Sequence, residues 1–316
     1  MEYTTLGRTG LRVGVAGLGC GGFSRLGLGR GKTESEAIAV VHAALDHGVN
    51  LIDTAAAYGT EDVVGRALAG RREGVVLATK AMTREGERAL TGDEVIASLD
   101  ASLQRLRTDR VELFQLHAVL PREYDYVMAE IAPALLRAKA EGKIRHIGIT
   151  ETAPNDHTHA ALHRALDHDV WETMMVAFNM MHTNARETLL PRTRRQGVGT
   201  LLMFVVRNVF SQPERLAEEM RALVAAGLLP AETGADPLGF LLHASGASSL
   251  TDAAYRFVRH EPGVDVVLFG TSDIGHLRAN IASIVKPPLP VADQTRLREQ
   301  FGHLLGVGLD GPKAPS

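Results

Sequence analysis

Short apolar runs along this chain alternate with longer stretches in which apolar residues recur at helical spacing. The runs read as strands and the periodic stretches as helices. Strands are expected at residues 13–18, 51–53, 75–79, 111–116, 144–149, 173–178, 200–203 and 264–269. Helices are expected at 33–46, from Thr60 onward, at 91–106, 124–141 (with Pro133 a candidate bend), 155–166, 184–196, 250–260, 274–284 and 291–304. A short hairpin turning at Gly7-Arg8-Thr9-Gly10 opens the chain, an irregular insertion follows Met203, and a Gly/Pro-rich tail closes it. The strands are apolar throughout, as when both faces are buried. Eight strand–helix units after a hairpin predict a (β/α)8 TIM barrel. It forms one domain over residues 1–316, with an extra C-terminal helix.

Gly17-Leu18-Gly19-Cys20-Gly21-Gly22 formally fits the dinucleotide fingerprint G-x-G-x-x-G. Its context does not. The chain stays glycine-rich to Gly31, and the helix signal waits until Thr33-Glu34-Ser35-Glu36. A true fingerprint opens its helix at once. A glycine loop after the first strand is the better reading.

Composition narrows the function. A net charge of -3 argues against nucleic-acid or anionic-membrane partners. One cysteine, Cys20, excludes an internal disulfide framework. No apolar run approaches the ~20 residues of a membrane span. The first residues lack a basic start and an apolar core, so a cytoplasmic location is expected. Oligomeric state leaves no sequence signal.

In a barrel of this kind chemistry belongs at the C-terminal ends of the strands. Asp53, Lys80 and His117 fall there, with Tyr58 just past its strand. Singly, each has an ordinary explanation: a cap, a solvated charge, a rim histidine, a packed ring. Together they are harder to dismiss. A lysine ending an apolar strand needs a carboxylate, because burying it unpaired is expensive. Asp53 on the neighbouring strand is the evident partner. A nearby cation lowers a tyrosine pKa from its reference near ~10, so Tyr58 is expected to shift towards working pH as a proton donor.

These segments resemble the aldo-keto reductase superfamily. Asn50-Leu51-Ile52-Asp53-Thr54-Ala55 with Tyr58-Gly59 is similar to its Asp/Tyr signature. Leu77-Ala78-Thr79-Lys80 resembles its lysine strand, and Leu113-Phe114-Gln115-Leu116-His117 its histidine strand. Gly270-Thr271-Ser272 through His276-Leu277-Arg278-Ala279-Asn280 resembles its cofactor segment. The likeness runs from Leu6-Gly7 to about Ile284. It implies a barrel that binds a nicotinamide cofactor and reduces a small carbonyl substrate, an aldehyde or ketone. Tyr58 would protonate the carbonyl oxygen, Lys80 would tune Tyr58, Asp53 would hold Lys80, and His117 would orient the substrate. The resemblance places Gly22, Phe23, Asp53, Thr150, Glu151, Met175, Met203, Phe204, Arg207, Gly270, Thr271, Ser272, His276 and Asn280 against the cofactor. NADP is favoured on family grounds, with NAD kept open.

Several positions depart from the family pattern. Thr150-Glu151 replaces the usual Ser-Asn, Met175 a common glutamine, and Met203 a stacking aromatic. Phe204-Val205-Val206-Arg207-Asn208 replaces Ser-Pro-Leu. Glu151 can accept from a carboxamide NH2 but, ionised, cannot donate. Val119, Leu120, Tyr124, Phe204 and Phe210 are candidates for an apolar substrate wall. Arg207 suits a phosphate, an acidic substrate or plain solvation. The altered cofactor positions keep alive a non-catalytic, nucleotide-binding regulatory subunit. A Schiff-base enzyme would need Lys80 neutral, which Asp53 opposes. His157 and His159 would not face one another on a helix, so no metal site is expected.

Overall fold

In the computed structural model, which describes residues 1–234 and 236–309, eight parallel strands close into a barrel in chain order. They are β1 (Ala16–Gly19), β2 (Leu51–Asp53), β3 (Val76–Met82), β4 (Val111–Val119), β5 (Ile144–Glu151), β6 (Thr173–Ala177), β7 (Gly199–Met203) and β8 (Val266–Phe269). This is the expected (β/α)8 architecture. Side chains alternate across each strand, and that sorts the barrel into layers. Leu51, Val76, Ala78, Leu113, Met175, Leu201 and Val266 form an apolar layer inside it. Their neighbours Ile52, Leu77, Phe114 and Leu116 pack outward against the helices. Two residues further up the inward face come Asp53, Lys80 and Gln115, with His117 two beyond Gln115. The floor is therefore apolar and the rim polar.

The opening hairpin, Tyr3–Thr5 paired antiparallel with Arg12–Gly14, closes the bottom. Leu6, Leu11 and Val13 join the inner layer. Its turn sits tightly against β7: a Cβ on Gly7 would lie 2.2 Å from the Gly199 nitrogen. Val13 belongs to this hairpin, so the strand expected at 13–18 is two pieces.

Helix starts follow the expected chemistry. Thr33 and Thr91 cap Glu34–Asp46 and Gly92–Leu106, each with a reciprocal glutamate three residues on. Elsewhere the structure corrects the reading. The helix expected from residue 155 begins at Ala160, because Asp156 accepts the Ala160 and Ala161 N–H groups at 2.8 and 2.9 Å. The one expected at 184–196 is broken into Ala185–Thr188 and Leu190–Gln196. The bend expected at Pro133 is a π segment, Val127–Ile131, just before it. The insertion after Met203 is not wholly irregular. It holds the helix Pro213–Ala225, which buries Leu216, Met220 and Leu223 on one face. The Gly/Pro-rich tail beyond Leu309 lies outside the described residues. Among the described residues no helix is long and apolar enough to cross a membrane.

Candidate active site

The polar rim converges on one lysine. Lys80 is fully buried, and its Nζ donates to Asp53 Oδ2 at 2.8 Å and to the Thr54 carbonyl at 2.8 Å. Register explains the reach. Asp53 pairs with Ala78, two residues below Lys80 on the same inward face of β3. Gln115, beside Lys80 on β4, donates to the other Asp53 oxygen at 3.4 Å. The third direction from Lys80 points at the Tyr58 hydroxyl, 3.5 Å away. Tyr58 ends a short 3₁₀ turn, Ala56–Tyr58, after β2. Its hydroxyl lies 3.4 Å from His117 Nε2, with the two rings edge to face at 5.3 Å. Gly21 backs the phenol: a Cβ there would sit 2.5 Å from the ring.

Burial and charge act on each group. Burial alone disfavours the Lys80 ammonium, but Asp53 and Tyr58 outweigh it and hold the lysine above its usual pKa. Burial likewise raises Asp53, against the pull of Lys80. Tyr58 moves the opposite way from the sequence expectation. Burial lifts its pKa above the ordinary tyrosine value, and Lys80 offsets only part of that. The phenol thus keeps its proton at neutral pH, as a donor must. Burial, Lys80 and Arg84 push His117 down to about 3, so its imidazole is neutral.

Tyr58, His117 and Asp53 line the inner end of a cleft of about 1120 Å³ at the C-terminal face of the barrel, with Lys80 buried behind them. The same cleft is lined by Gly270, Thr271, Ser272, His276 and Asn280, around the start of the Ile274–Ile284 helix.

The chain matches the model of the aldo/keto reductase family over residues 17–300. It belongs to that family. It is 28% identical to aldo-keto reductase YhdN of Bacillus subtilis, over 88% of this chain and 87% of that one. It is 27% identical to an L-galactose dehydrogenase of Arabidopsis thaliana, over 95% and 93%. Among solved structures, the holo form of an aldo-keto reductase from Bacillus halodurans superposes with a TM-score of 0.73 at 25% identity, covering 98% of this chain and all of that one. The chain is thus an oxidoreductase of the aldo/keto reductase family.

Within this aldo/keto reductase, every residue expected against the cofactor reaches the cleft wall: Gly22, Phe23, Thr150, Glu151, Met175, Met203, Phe204 and Arg207 join those already named. Several are committed elsewhere. Thr150 Oγ1 accepts the Ala118 N–H at 2.7 Å. Glu151 has no exposed side-chain surface. Its oxygens accept from Ala177 N–H at 2.7 Å and face His159 Nδ1 at 2.8 Å. A carboxamide cannot reach that carboxylate without moving it. Met175 packs in the inner apolar layer. The Arg207 guanidinium is not simply solvated: it lies 4.7 Å from the Phe23 ring centre and 4.6 Å from that of Phe204. His157 and His159 precede their helix, and both rings approach His182.

Of the expected apolar wall, only Phe204 lines the cleft. Val119, Tyr124 and Phe210 are core, with the Tyr124 hydroxyl accepting from Trp171 Nε1 at 3.0 Å. Sequence reading missed Gln115, Gly21 and the cleft-lining Thr152, Pro154, Ser248 and Tyr255. Gln115 was findable, since it lies midway between Leu113 and His117 on one strand face. Leu309 was not: it buries against Ala153 and Ala177, a contact with no local signature.

Proposed function

We propose that this protein reduces an aldehyde or ketone with NADPH, with Tyr58 giving the proton. One observation carries the reading. A phenol that holds its proton stands between a buried ammonium at 3.5 Å and a neutral imidazole at 3.4 Å, facing the cleft. The bound nicotinamide would supply hydride to the carbonyl carbon. The chain's own residues deal with the charge that then builds on oxygen. Tyr58 donates a hydrogen bond and then its proton to that oxygen, and His117 Nε2 fixes where the oxygen sits. Lys80 stabilises the phenolate left behind, and Asp53 and Gln115 hold Lys80 in place. A preorganised donor at such a spot is worth ~3 kcal/mol, or ~10²-fold in rate.

The cleft fits a dinucleotide. Its volume is about 1120 Å³, Gly19, Gly21 and Gly22 in its wall let backbone come close, and it meets a helix start at Thr271, Ser272 and His276. There Lys32 Nζ donates to the Ser272 carbonyl at 2.6 Å and brings a cation. Asp273 caps the same helix through the His276 N–H at 2.8 Å and brings an anion. Lys32 favours a 2'-phosphate and Asp273 offsets part of that, so NADPH is expected to bind tighter than NADH by no more than about tenfold in a fluorescence titration. Equal affinities would remove the NADP preference.

The reading treats residues 1–316 as one barrel domain in the cytoplasm, the latter checked by fractionation. Its test is absorbance loss from NADPH with a panel of small aldehydes and ketones. Turnover supports it. Tight NADPH binding with no turnover on any of the panel would turn it into the nucleotide-binding subunit instead.

A further inference from the structure

Strand β4 does not run straight into the cleft. Leu116 pairs with Ile149 and Val119 with Glu151, so His117 and Ala118 together face one β5 residue, Thr150. Two residues against one make a β-bulge, which re-aims a side chain. Ala118 closes the bulge in the left-handed region at φ 54°. An alanine stays there only where its surroundings hold it. Thr150, 1% exposed, holds the Ala118 N–H, which its Oγ1 accepts at 2.7 Å; Arg84 Nη1 donates to the Ala118 carbonyl at 3.0 Å. Besides its edge-to-face contact with the Tyr58 ring, His117 has little to direct its imidazole. Its Nε2 meets only the Tyr58 hydroxyl at 3.4 Å, and its Nδ1 is buried with no hydrogen-bond partner among the described residues. A ring with one long hydrogen bond takes its direction from its backbone.

We propose that Thr150 is a positioning residue for His117. Through the Ala118 N–H it sets the bulge that aims the imidazole at the Tyr58 phenol and the reacting oxygen. This rests on the reductase reading for its kinetic consequence, but not for its structural one. It differs from a cofactor contact in what should change. A cofactor ligand lost would weaken NADPH binding; a positioning residue lost disturbs His117 and turnover.

The test compares Thr150→Val, Thr150→Ser and the double variant Thr150→Val with Ala118→Gly. Three quantities are read: the His117 ring signals in long-range ¹H–¹⁵N spectra, the Kd for NADPH, and kcat with a small aldehyde. In Thr150→Val the His117 signals should shift or broaden. Its kcat should fall about tenfold, while the Kd stays within about twofold. Thr150→Ser should keep the wild-type spectrum. Adding Ala118→Gly should restore it, because glycine adopts the bulge conformation without help. Should Thr150→Val not fold, Ala118→Val, β-branched at a positive φ, must reproduce the spectral change with Thr150 intact. Unchanged His117 signals would overturn the proposal. So would a rise in Kd that matches the fall in kcat, or no rescue by glycine. A wild type that turns over no carbonyl defeats the reductase reading alone; the spectra still decide this one.

Discussion

Two of the buried acid–base pairs among the described residues are finished differently. Lys80–Asp53 and Glu151–His159 are alike in burial, with side-chain exposures of 0% and 4% in the first and 0% and 0% in the second. Glu151–His159 closes on itself. Both carboxylate oxygens are used, and the second histidine nitrogen faces Asn184 Oδ1 at 3.1 Å. Lys80–Asp53 has an outlet: the ammonium points on to Tyr58, and Tyr58 lines the cleft. Burying charge is costly in both places. Only where the network ends on a titratable group at a cleft can that cost become chemistry. The closed pair ties the end of β5 to the loop before the Ala160–Ala165 helix.

The comparison can be broken at either pair. Lys80→Met removes the ammonium that, under the proposed function, would stabilise a Tyr58 phenolate, and it leaves Asp53 buried alone. Carbonyl reduction should fall by about 10²-fold or more, and stability by about 3–5 kcal/mol, read by initial rates and denaturant unfolding. His159→Leu should cost a similar stability, about 3 kcal/mol, because Glu151 loses its partner. Its kcat per folded molecule should stay within about threefold. A His159 variant that folds well and loses turnover would erase the distinction.

A subtler contrast lies in pH. Tyr58 sits above its ordinary pKa through burial, so reduction should be nearly flat from about pH 6 to 9. A titration near neutrality that vanishes in a Tyr58 variant would contradict this. His117 acts on stability instead. Its folded pKa of about 3 lies below the unfolded value of 6.5, so between them the unfolded chain binds more protons. Stability should fall as pH drops through that window, and replacing His117 should flatten the slope in denaturant midpoints.

Much of the site was legible because strand alternation is a local rule. Counting by twos from Leu51, Val76 and Leu113 puts Asp53, Lys80 and His117 on one face, and strand order brings them together. The Tyr58 pKa direction was not legible, since it depends on how much water the folded cleft excludes. The bulge at Ala118 leaves the apolar pattern unchanged, so residue spacing could not reveal Thr150's partner. The Glu151 contact with His159 was not legible either, because His159 sits in a left-handed turn that only the fold sets. The Pro213–Ala225 helix lies in a stretch expected to be irregular, although Leu216, Met220 and Leu223 share its buried face.

Whether Tyr58 delivers the proton is decided by single-turnover oxidation of bound NADPH on mixing with a small aldehyde, in wild type and Tyr58→Phe. NADPH affinity should be unchanged in the variant and its hydride-transfer step slowed about 10²-fold or more. Equal single-turnover rates in the two proteins would contradict that role.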